Sequence, residues 1–442
     1  MQKLKVGILG LGTVGGGAAN ILQRNADLIA SRTGVEISVK SALVKDLQQE
    51  RICDCSQITL TTNPADVVDD PEIDIIIELI GGETFAKQLV EQAIQNGKHV
   101  VTANKALIAL QGNELFQLAE QHGVSIAYEA SVAGGIPIIK ALREGLAAND
   151  VSLIAGIING TGNFILSEMA FEGRSFADVL AQAQELGYAE ADPTFDVEGI
   201  DAAHKLTILA AIGFGIPLSF DKIFTEGISR LSLDDVAYAA ELGYKIKHLG
   251  VAKKTAAGIE LRVHPTLIPE QRLLANVNGV MNAVVVKGDA VGTTLHYGAG
   301  AGAEPTGSAV VADVIDLARG LSTTVAGNVV PHLGAQPGAV AETAAAPSSI
   351  LTADMFNCPF YLRLEASDEP GVMAQLMQVF AEHDISIEAV IQKEPEAGKT
   401  TVQIILLTAT CLEKTVATAL AQITQLPAVV SEVTKIRVEH LD

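Results

Sequence analysis

The densest group of ionisable residues in an otherwise apolar part of the chain contains Glu190, Asp196, Asp201 and Lys205. Asp201 and Lys205 are four residues apart, so on a helix they face the same way and form an ion pair. Pairs with this spacing are usually exposed and contribute only about 0.3 to 0.5 kcal/mol, and that interpretation stays open here.

The other interpretation of this group is chemical. In it, Lys205 exchanges a proton with the hydroxyl of an amino-alcohol substrate, while Glu190, Asp196 and Asp201 hold the lysine and the substrate. A free lysine has a pKa near ~10.4, which is too high for proton exchange at neutral pH. Such a site therefore has to lower that pKa by partial desolvation.

A glycine-rich turn near the start of the chain is a second chemical feature. Gly10, Gly12, Thr13, Val14 and Gly15 lie between an apolar strand pattern and a helix pattern. The first glycine permits a tight turn, the second lets backbone amides approach a pyrophosphate, and the third lets the helix pack closely on the strand. The turn predicts a dinucleotide site, and a purely structural turn is the alternative.

The elements that position these residues alternate between strands and helices in the first third of the chain. Strand patterns cover residues 3–9, 35–44, 73–80, 98–103 and 124–130. This alternation predicts an α/β fold, a Rossmann-type doubly wound parallel sheet formed by residues 1–135 with a returning helix at 305–325. Ligands of such sheets bind at the carboxyl ends of the strands.

The pattern changes after residue 135. Residues 136–304 combine strand patterns with long helical patterns between 163 and 250, which predicts a second α+β domain. Residues 326–356, which are rich in alanine and proline, predict a linker. Residues 357–438 follow the order βαββαβ of a separate, ferredoxin-like domain.

Composition narrows the classes of function. The 442-residue chain has a formal charge of −22, which argues against nucleic acid and anionic membranes as partners. No uncharged apolar run reaches the ~18 residues of a membrane helix, and glycines interrupt the apolar start, which argues against an export signal. The four cysteines and nine histidines form no C-x-x-C or H-E-x-x-H motif. This disfavours disulfides and zinc and favours the cytoplasm.

Five separated motifs resemble those of homoserine dehydrogenases. They cover residues 10–15, 102–108, 160–166, 190–205 and 300–313, in the order of that family. Residues 368–372, between the first strand and the first helix of the C-terminal unit, resemble an ACT domain, which is a small-ligand regulatory module.

The resemblance implies an enzyme that interconverts L-homoserine and L-aspartate 4-semialdehyde with a nicotinamide cofactor, on the path to threonine, methionine and isoleucine. It implies Lys205 as the proton donor and acceptor, and Glu190 as the residue that holds the homoserine amino group. Asp196 and Asp201 become further polar groups of the substrate pocket. Residues 136–304 become the domain for substrate binding, catalysis and dimerisation. Lys105 becomes a contact of both the cofactor and the substrate.

Further cofactor contacts implied by the resemblance are Thr13 and Val14 in the glycine turn and Gly302 later in the chain. NADP is the expected cofactor, with NAD as the alternative. Lys45 stands where the family often has an arginine that favours a 2′-phosphate, whereas Asp46 suits a ribose hydroxyl. A surface lysine without a ligand explains Lys45 equally well.

The family also binds a sodium ion, which the resemblance places at backbone carbonyls of Glu129, Val132, Gly134 and Ile136. A glycine-rich turn can aim several carbonyls at one point, which suits a hard cation. An ordinary interdomain turn explains the same residues without a metal.

The ACT domain implies regulation by a small molecule. Because exposed edges in such units usually pair with a second copy, we expect a homodimer or homotetramer in which threonine binds between ACT domains and lowers activity. A purely structural role in oligomerisation is the alternative.

Two other functions fit the sequence less well. A semialdehyde dehydrogenase that forms an acyl-enzyme needs a cysteine nucleophile near the nicotinamide crevice. Cys53, Cys55, Cys358 and Cys411 all lie away from the expected position. A non-catalytic metabolite sensor would tolerate the loss of Lys205 and Glu190, whereas both residues are present.

Overall fold

The computed structural model describes residues 2–322, 330–334, 349–395 and 398–441. The chain divides into two compact units. The first consists of Met1–Gly160, Asp201–Ile223 and Val280–Pro347, and the second of Thr161–Ile200, Phe224–Gly279 and Ser348–Asp442. Across the described ranges, no helix combines the length and the apolar character that crossing a bilayer requires.

The strands are numbered in chain order. They are β1 (Gln2–Leu9), β2 (Val35–Leu43), β3 (Thr59–Thr61), β4 (Ile75–Glu78), β5 (His99–Thr102), β6 (Ile126–Ala127), β7 (Val151–Ile157), β8 (Phe224–Thr225), β9 (Tyr244–Thr255), β10 (Gly258–Pro269), β11 (Met281–Gly288), β12 (Gly292–Ala299), β13 (Asn357–Cys358), β14 (Phe360–Ser367), β15 (Ile387–Gln392), β16 (Thr401–Thr408), β17 (Cys411–Leu412) and β18 (Thr434–Val438).

The helices are numbered in the same way. They are α1 (Thr13–Arg24), α2 (Ala26–Thr33), α3 (Ala65–Val68), α4 (Thr84–Gln95), α5 (Lys105–Gln121), α6 (Ile138–Lys140), α7 (Gly160–Glu172), α8 (Phe176–Glu185), α9 (Thr194–Val197), α10 (Ile200–Phe214), α11 (Leu233–Glu241), α12 (Ala303–Ser322), α13 (Val372–Glu382) and α14 (Glu413–Ile423).

The first unit contains a six-stranded parallel sheet in the order β3-β2-β1-β4-β5-β6. Strands covered on both faces are apolar throughout, and Ile75, Ile76 and Ile77 of β4 are fully buried. The predicted Rossmann-type sheet is confirmed. The same unit also contains the antiparallel strands β7, β11 and β12, with β11 in the middle.

The helix predicted to return to the first domain is α12, which packs against α1. Glycines allow this close approach: a Cβ on Gly17 would lie 2.2 Å from the Ala303 carbonyl oxygen. A Cβ on Gly307 would lie 2.8 Å from the Ala18 amide nitrogen. Because backbone atoms meet there, neither position has room for a side chain.

Two predictions about individual elements are wrong, and one element was missed. The strand pattern 124–130 extends too far, because β6 ends at Ala127 and Glu129–Ser131 forms a 3-10 turn. The helical pattern that reaches residue 250 overlaps β9, which begins at Tyr244. The short strand β3 was not predicted.

The second unit is organised around a sheet in the order β9-β10-β18-β14-β16-β15, with β8 beside β10. Its C-terminal part has the predicted order βαββαβ, formed by β14, α13, β15, β16, α14 and β18. Strand β18 pairs in parallel with β10, through Thr266 with Arg437 and Leu267 with Val438. The C-terminal module therefore shares one sheet with β9 and β10.

Buried ion pairs reinforce the junction between β10 and β18. Arg262 is fully buried and contacts Glu260 at 2.9 Å as well as Glu439. Arg437 is also buried, and it contacts Glu413 and, at 2.8 Å, Glu226. Each guanidinium thus binds carboxylates from both sides of the junction.

The predicted domain boundaries stay predictions. They are 1–135 with 305–325, 136–304, 326–356 and 357–438. Within the predicted linker, residues 326–329 and 335–348 lie outside the described residues.

Candidate active site

The glycine turn joins β1 to α1 and leaves open space at its centre. Gly10 has a φ of +98°, and a Cβ on Gly15 would lie 2.2 Å from the Gly10 carbonyl oxygen. A Cβ on Gly12 would meet nothing within 4 Å. Thr13 and Val14 start α1, whose first amides lack partners within the helix and suit an anion. The turn therefore fits a dinucleotide.

Gly302 also occupies a position that requires glycine. Its φ is +124°, and it directly precedes α12. Side chains rarely adopt this conformation, which explains the residue type independently of any ligand.

Asp201 is a buried carboxylate that binds two lysines, one from the next turn of its own helix and one from a distant part of the sequence. Lys205 Nζ lies 2.7 Å from Asp201 Oδ2, and Lys105 Nζ lies 3.1 Å from Oδ1. Asn159 donates to Oδ2 at 2.8 Å. The structure therefore brings together three of the predicted site residues.

Helix α10 places Lys205 one turn after Asp201, as predicted. Lys205 Nζ also donates to the Ile158 carbonyl at 2.7 Å, and its side chain is only 12% exposed. The interpretation of an exposed surface pair is therefore wrong.

Asp201 stays ionised at neutral pH. Burial alone would raise the pKa of its carboxyl, but the charges of Lys205 and Lys105 and the hydrogen bonds from Lys205 and Asn159 hold that pKa well below its usual range. His204, three residues after Asp201 on α10, is instead uncharged at neutral pH. Burial lowers its pKa to about 4, so its ring is neutral at pH 7.

Lys105 is the first residue of α5, and its neighbour fixes the start of that helix. Asn104 Oδ1 accepts a hydrogen bond from the Leu107 amide at 3.1 Å. This is an N-cap, which satisfies one of the amides that a helix start leaves unpaired. The cap fixes the first residue of α5, and therefore the position of Lys105 after the end of β5.

Glu190 and Asp196 lie in the second unit. Glu190 is exposed in the loop before α9, where its carbonyl accepts from Gln184 Nε2 at 3.1 Å. Asp196 lies in α9 and is partly buried. Their contacts with the substrate stay predictions.

Lys45 is exposed just after β2. A second cationic side chain near the end of β2 is that of Arg51. It was not predicted from the sequence, because Arg51 has no characteristic spacing from the glycine turn. Arg51 donates to the Leu11 carbonyl in the glycine turn at 3.1 Å and also to the Asp46 carbonyl. Its guanidinium therefore lies against the glycine turn.

The turn predicted to bind sodium has an unusual backbone. Ala133 and Gly134 are consecutive residues with φ of +54° and +39°. The Glu129 carboxylate accepts from the amides of Ile139 and Lys140 at 2.9 and 2.8 Å, so this side chain caps α6. Of the four carbonyls predicted to bind sodium, that of Ile136 accepts from the Ile138 amide at 2.8 Å and that of Glu129 from the Val132 amide at 3.4 Å. The sodium site stays a prediction.

Asp313 of α12 adjoins this turn and was also missed by sequence reasoning. It accepts from the Glu129 amide at 2.8 Å, and burial raises the pKa of its carboxyl well above the ordinary value. Among the residues that the structure describes, no group of three or more histidine, cysteine, aspartate or glutamate side chains is arranged to hold a metal ion.

The cysteines do not have the properties of nucleophiles. All four are free, and Cys53 and Cys55 lie with their sulfur atoms 3.9 Å apart. Burial raises the pKa of Cys53 to about 11 and that of Cys358 to about 12. Because the thiolate is the nucleophile, these values argue against acyl-enzyme chemistry.

Family models match three parts of the chain. The model described as the NAD binding domain of homoserine dehydrogenase matches residues 10–129. The model described as homoserine dehydrogenase matches residues 137–315, and the ACT domain matches residues 360–428.

Relatives match the chain along its whole length. The homoserine dehydrogenase of Pseudomonas aeruginosa is 58% identical over 442 residues, which is 100% of both chains. The crystal structure of a homoserine dehydrogenase from Thiobacillus denitrificans has a TM-score of 0.94 and 58% identity, and the match covers 100% of this chain and 99% of that one.

A more distant structure is that of a hyperthermophilic archaeal homoserine dehydrogenase in complex with NADPH. It has a TM-score of 0.61 and 26% identity, over 71% of this chain and 97% of the archaeal one. Since the Pseudomonas relative matches from end to end, the chain belongs to the homoserine dehydrogenase family, NAD(P)-dependent oxidoreductases that act on a CH–OH group.

Proposed function

We propose that Lys205 is the acid and base with which this enzyme interconverts L-homoserine and L-aspartate 4-semialdehyde. The observation that carries the proposal is the largely buried amine of Lys205, fixed between Asp201 and the Ile158 carbonyl. A group that transfers a proton has to be held in place and partly desolvated. Lys205 meets both requirements.

The residues act in both directions of the reaction. In oxidation, the neutral amine of Lys205 accepts the hydroxyl proton while the carbon loses a hydride. In reduction, the protonated amine returns the proton to the oxygen. A bound nicotinamide supplies the hydride acceptor or donor. Asp201 holds the amine throughout, because its carboxylate stays ionised, and Lys105 adds a second positive charge beside it.

Substrate binding falls to three carboxylates. Glu190 binds the amino group of homoserine, and Asp196 and Asp201 complete the polar pocket. The support for these roles is the similarity of residues 190–205 to the family and the exposed position of Glu190.

The cofactor binds at the glycine turn, and NADP is preferred over NAD. Gly10, Gly12, Thr13, Val14 and Gly15 provide the phosphate cradle, with Gly302 and Lys105 as later contacts. The exposed Lys45 after β2 and the NADPH in the archaeal relative support the preference.

Lys45→Ala should reduce kcat/KM with NADP more than with NAD. Lys3→Ala, an exposed lysine at the opposite end of the sheet, is the matched control.

The turn at Glu129, Val132, Gly134 and Ile136 binds sodium through its backbone carbonyls. Its two consecutive left-handed residues support this role, because they turn neighbouring carbonyls in directions that regular structure does not allow.

The ACT domain makes the enzyme responsive to threonine, a product of the pathway that leads from homoserine to threonine, methionine and isoleucine. The enzyme forms a homodimer or homotetramer in the cytoplasm. The support for these proposals is the match to the ACT domain and the exposed edge strand β15 of its sheet.

One experiment tests the activity and its regulation. Formation of reduced nicotinamide is measured with L-homoserine as the sole substrate, with each cofactor, and with increasing L-threonine or D-threonine. We expect oxidation with both cofactors and inhibition by the L-isomer alone. An unchanged rate at saturating L-threonine would remove the regulatory role and leave the catalytic one.

Lys205→Ala tests the catalytic role directly. We expect turnover to fall by about 10² to 10⁴, the contribution of a general acid or base, while cofactor affinity stays nearly intact. Lys222→Ala removes an exposed lysine of the same unit and serves as the control. Near-normal turnover of Lys205→Ala would exclude Lys205 from this role.

A further inference from the structure

A buried carboxylate lies at the carboxyl end of β4, outside the group centred on Asp201. Glu78 is the last residue of β4 and is fully buried. Its Oε1 accepts from the amides of Ile80 and Gly81, each at 3.0 Å. These amides belong to the loop that follows β4, in which Gly81 and Gly82 have φ of +69° and +77°.

The other oxygen of Glu78 is connected to the end of the neighbouring strand. Thr102 is the register partner of Glu78 in β5, and its hydroxyl donates to Glu78 Oε2 at 2.6 Å. The same hydroxyl accepts from the Asn104 amide at 2.9 Å. Asn104 Nδ2 in turn donates to the Gly82 carbonyl at 2.7 Å. The two strand-end loops are thus tied together by side chains.

This network ends at a residue of the candidate active site. Asn104 caps α5, and the first residue of α5 is Lys105, whose Nζ lies 3.1 Å from Asp201 Oδ1. The path therefore runs from Glu78 through Thr102 and Asn104 to Lys105. Each step is a hydrogen bond or a covalent neighbour, and all of its residues belong to the first unit.

A role in packing alone does not explain why a glutamate occupies position 78. Its hydrogen-bond partners in the described part of the chain are neutral groups, and burial raises the pKa of its carboxyl despite the bonds from Thr102, Gly81 and Ile80. Burying a carboxyl without a cation is unfavourable, and an apolar residue would pack there more favourably. The carboxyl ends of β4 and β5 are also where ligands of a doubly wound sheet bind.

We propose that Glu78 and Thr102 are positioning residues, which hold the loops after β4 and β5 in the shape that receives the cofactor and direct Lys105 toward Asp201. The inference rests on the proposed roles of Lys105 and of the nicotinamide crevice. Glu78 and Thr102 themselves act through Asn104 and Lys105.

Thr102→Val tests the proposal because it removes the hydroxyl while keeping the shape of the side chain. We expect the cofactor dissociation constant to rise and kcat to fall, each roughly tenfold, as misplaced groups lower rates steeply. Thr102→Ser restores the hydroxyl and should recover most of the loss. Hydrogen exchange should increase in peptides that cover residues 80–83 and 103–108 of the valine variant only.

The chain offers a matched control in the same sheet. Thr61 ends β3, donates to Asp66 at 2.6 Å and accepts from the Asn63 amide at 3.0 Å, the same arrangement at the sheet edge. Thr61→Val should lower the melting temperature without changing kcat. If Thr102→Val lowers only the melting temperature, as the control does, Thr102 is structural and the proposal is wrong.

A double-mutant cycle tests whether Thr102 acts through Lys105. In a Lys105→Met background, Thr102→Val should change kcat by less than about twofold, because the group that it positions is gone. An undiminished tenfold effect would overturn the proposed path. Glu78→Gln keeps an acceptor for the two amides but not for the Thr102 hydroxyl, so it should reproduce Thr102→Val. Failure of the unaltered enzyme to oxidise homoserine would instead overturn the proposed function.

Discussion

Asp201 is the residue on which the candidate active site depends, because one buried carboxylate neutralises two ammonium groups. Lys205 and Lys105 approach its two oxygens separately. A buried charge is strongly unfavourable unless it is paired, so removing one partner leaves the others exposed to the full desolvation penalty. The same residue therefore stabilises the fold and holds the amine that we propose as the acid and base.

Asp201→Asn should destabilise the first unit and abolish most turnover. We expect a loss of about 3 kcal/mol in the free energy of unfolding, at the lower end of the range for a broken buried pair, because Lys105 stays 35% exposed. Chemical denaturation measures this loss. Asp221→Asn, which breaks an exposed pair with Lys222, should cost less than about 1 kcal/mol. Equal losses in the two variants would contradict the burial argument.

His332 gives the stability of the protein a dependence on pH. Its Nε2 accepts from the Ile126 amide at 3.1 Å, its ring stacks on Phe116, and burial, with help from Arg143, lowers its pKa to about 4. The unfolded chain, with a histidine pKa near ~6.5, binds this proton more readily. The contribution of His332 to stability is therefore complete above pH 6.5 and is lost progressively between pH 6.5 and 4.

His332→Gln should remove this dependence, because glutamine keeps an acceptor but does not titrate. Relative to the unaltered protein, the variant should gain about 1.4 kcal/mol of stability for each pH unit between 6.5 and 4. Unfolding curves at several pH values measure the difference. Above pH 7.5 the difference should be constant, and parallel curves over the whole range would show that His332 does not titrate with a lowered pKa.

At the scale of elements, the contact between α1 and α12 fixes the helix that starts at the glycine turn. Backbone atoms of the two helices approach so closely that Gly17 and Gly307 cannot carry a Cβ without a shift. Arg24 and Glu304 add an exposed pair at 2.7 Å on the same surface. A change in this contact therefore moves the start of α1, where the cofactor phosphates are expected.

Gly17→Ala should destabilise the protein by about 1 to 3 kcal/mol, as overpacking usually does, and should raise the KM for the cofactor. Gly320→Ala, at a position of α12 where an added Cβ would meet nothing within 4 Å, should instead stabilise it by about 0.5 to 1 kcal/mol. Thermal unfolding and steady-state kinetics distinguish them. If Gly17→Ala changed neither the stability nor the KM, the two helices could move apart without a loss of free energy.

The sequence predicted the elements whose patterns are local. Spacing along a single helix paired Asp201 with Lys205, and apolar runs gave the strands of the parallel sheet. The approach of Lys105 to Asp201 was not predictable, because it depends on packing between residues 96 positions apart. Strand β9 was missed because its lysines, including the buried Lys247, hide the alternation of a strand.

At the scale of the whole molecule, the C-terminal module is bonded to the rest of the second unit through β18 and β10. Arg437 reaches Glu226, and Arg262 reaches Glu439, so each buried guanidinium needs a carboxylate from the other side. Removal of the module would take Glu439 away from the buried Arg262, which keeps only Glu260 of its two carboxylates, and would uncover the edge of β10 that β18 occupies. It follows that a truncated enzyme does not test regulation cleanly.

Deletion of residues 350–442 should prevent stable folding of the second unit. Each broken buried pair costs about 3 to 5 kcal/mol, and a domain has only about 5 to 15 kcal/mol in total. Soluble yield and thermal unfolding measure the effect. Lys393→Ala removes the exposed pair with Glu241 and the contact of its amine with the Tyr238 ring, and it should leave both nearly unchanged. A truncated chain that melts at the temperature of the intact one would contradict this prediction.

The strand pairing of Thr266 with Arg437 and of Leu267 with Val438 also limits how the module can communicate. A domain on a flexible tether can swing as a whole, but a strand hydrogen-bonded into the same ladder cannot rotate away without breaking it. We therefore expect a ligand bound to the ACT domain to affect the rest of the unit through a small shift or change of twist of β18, which its hydrogen bonds transmit to β10.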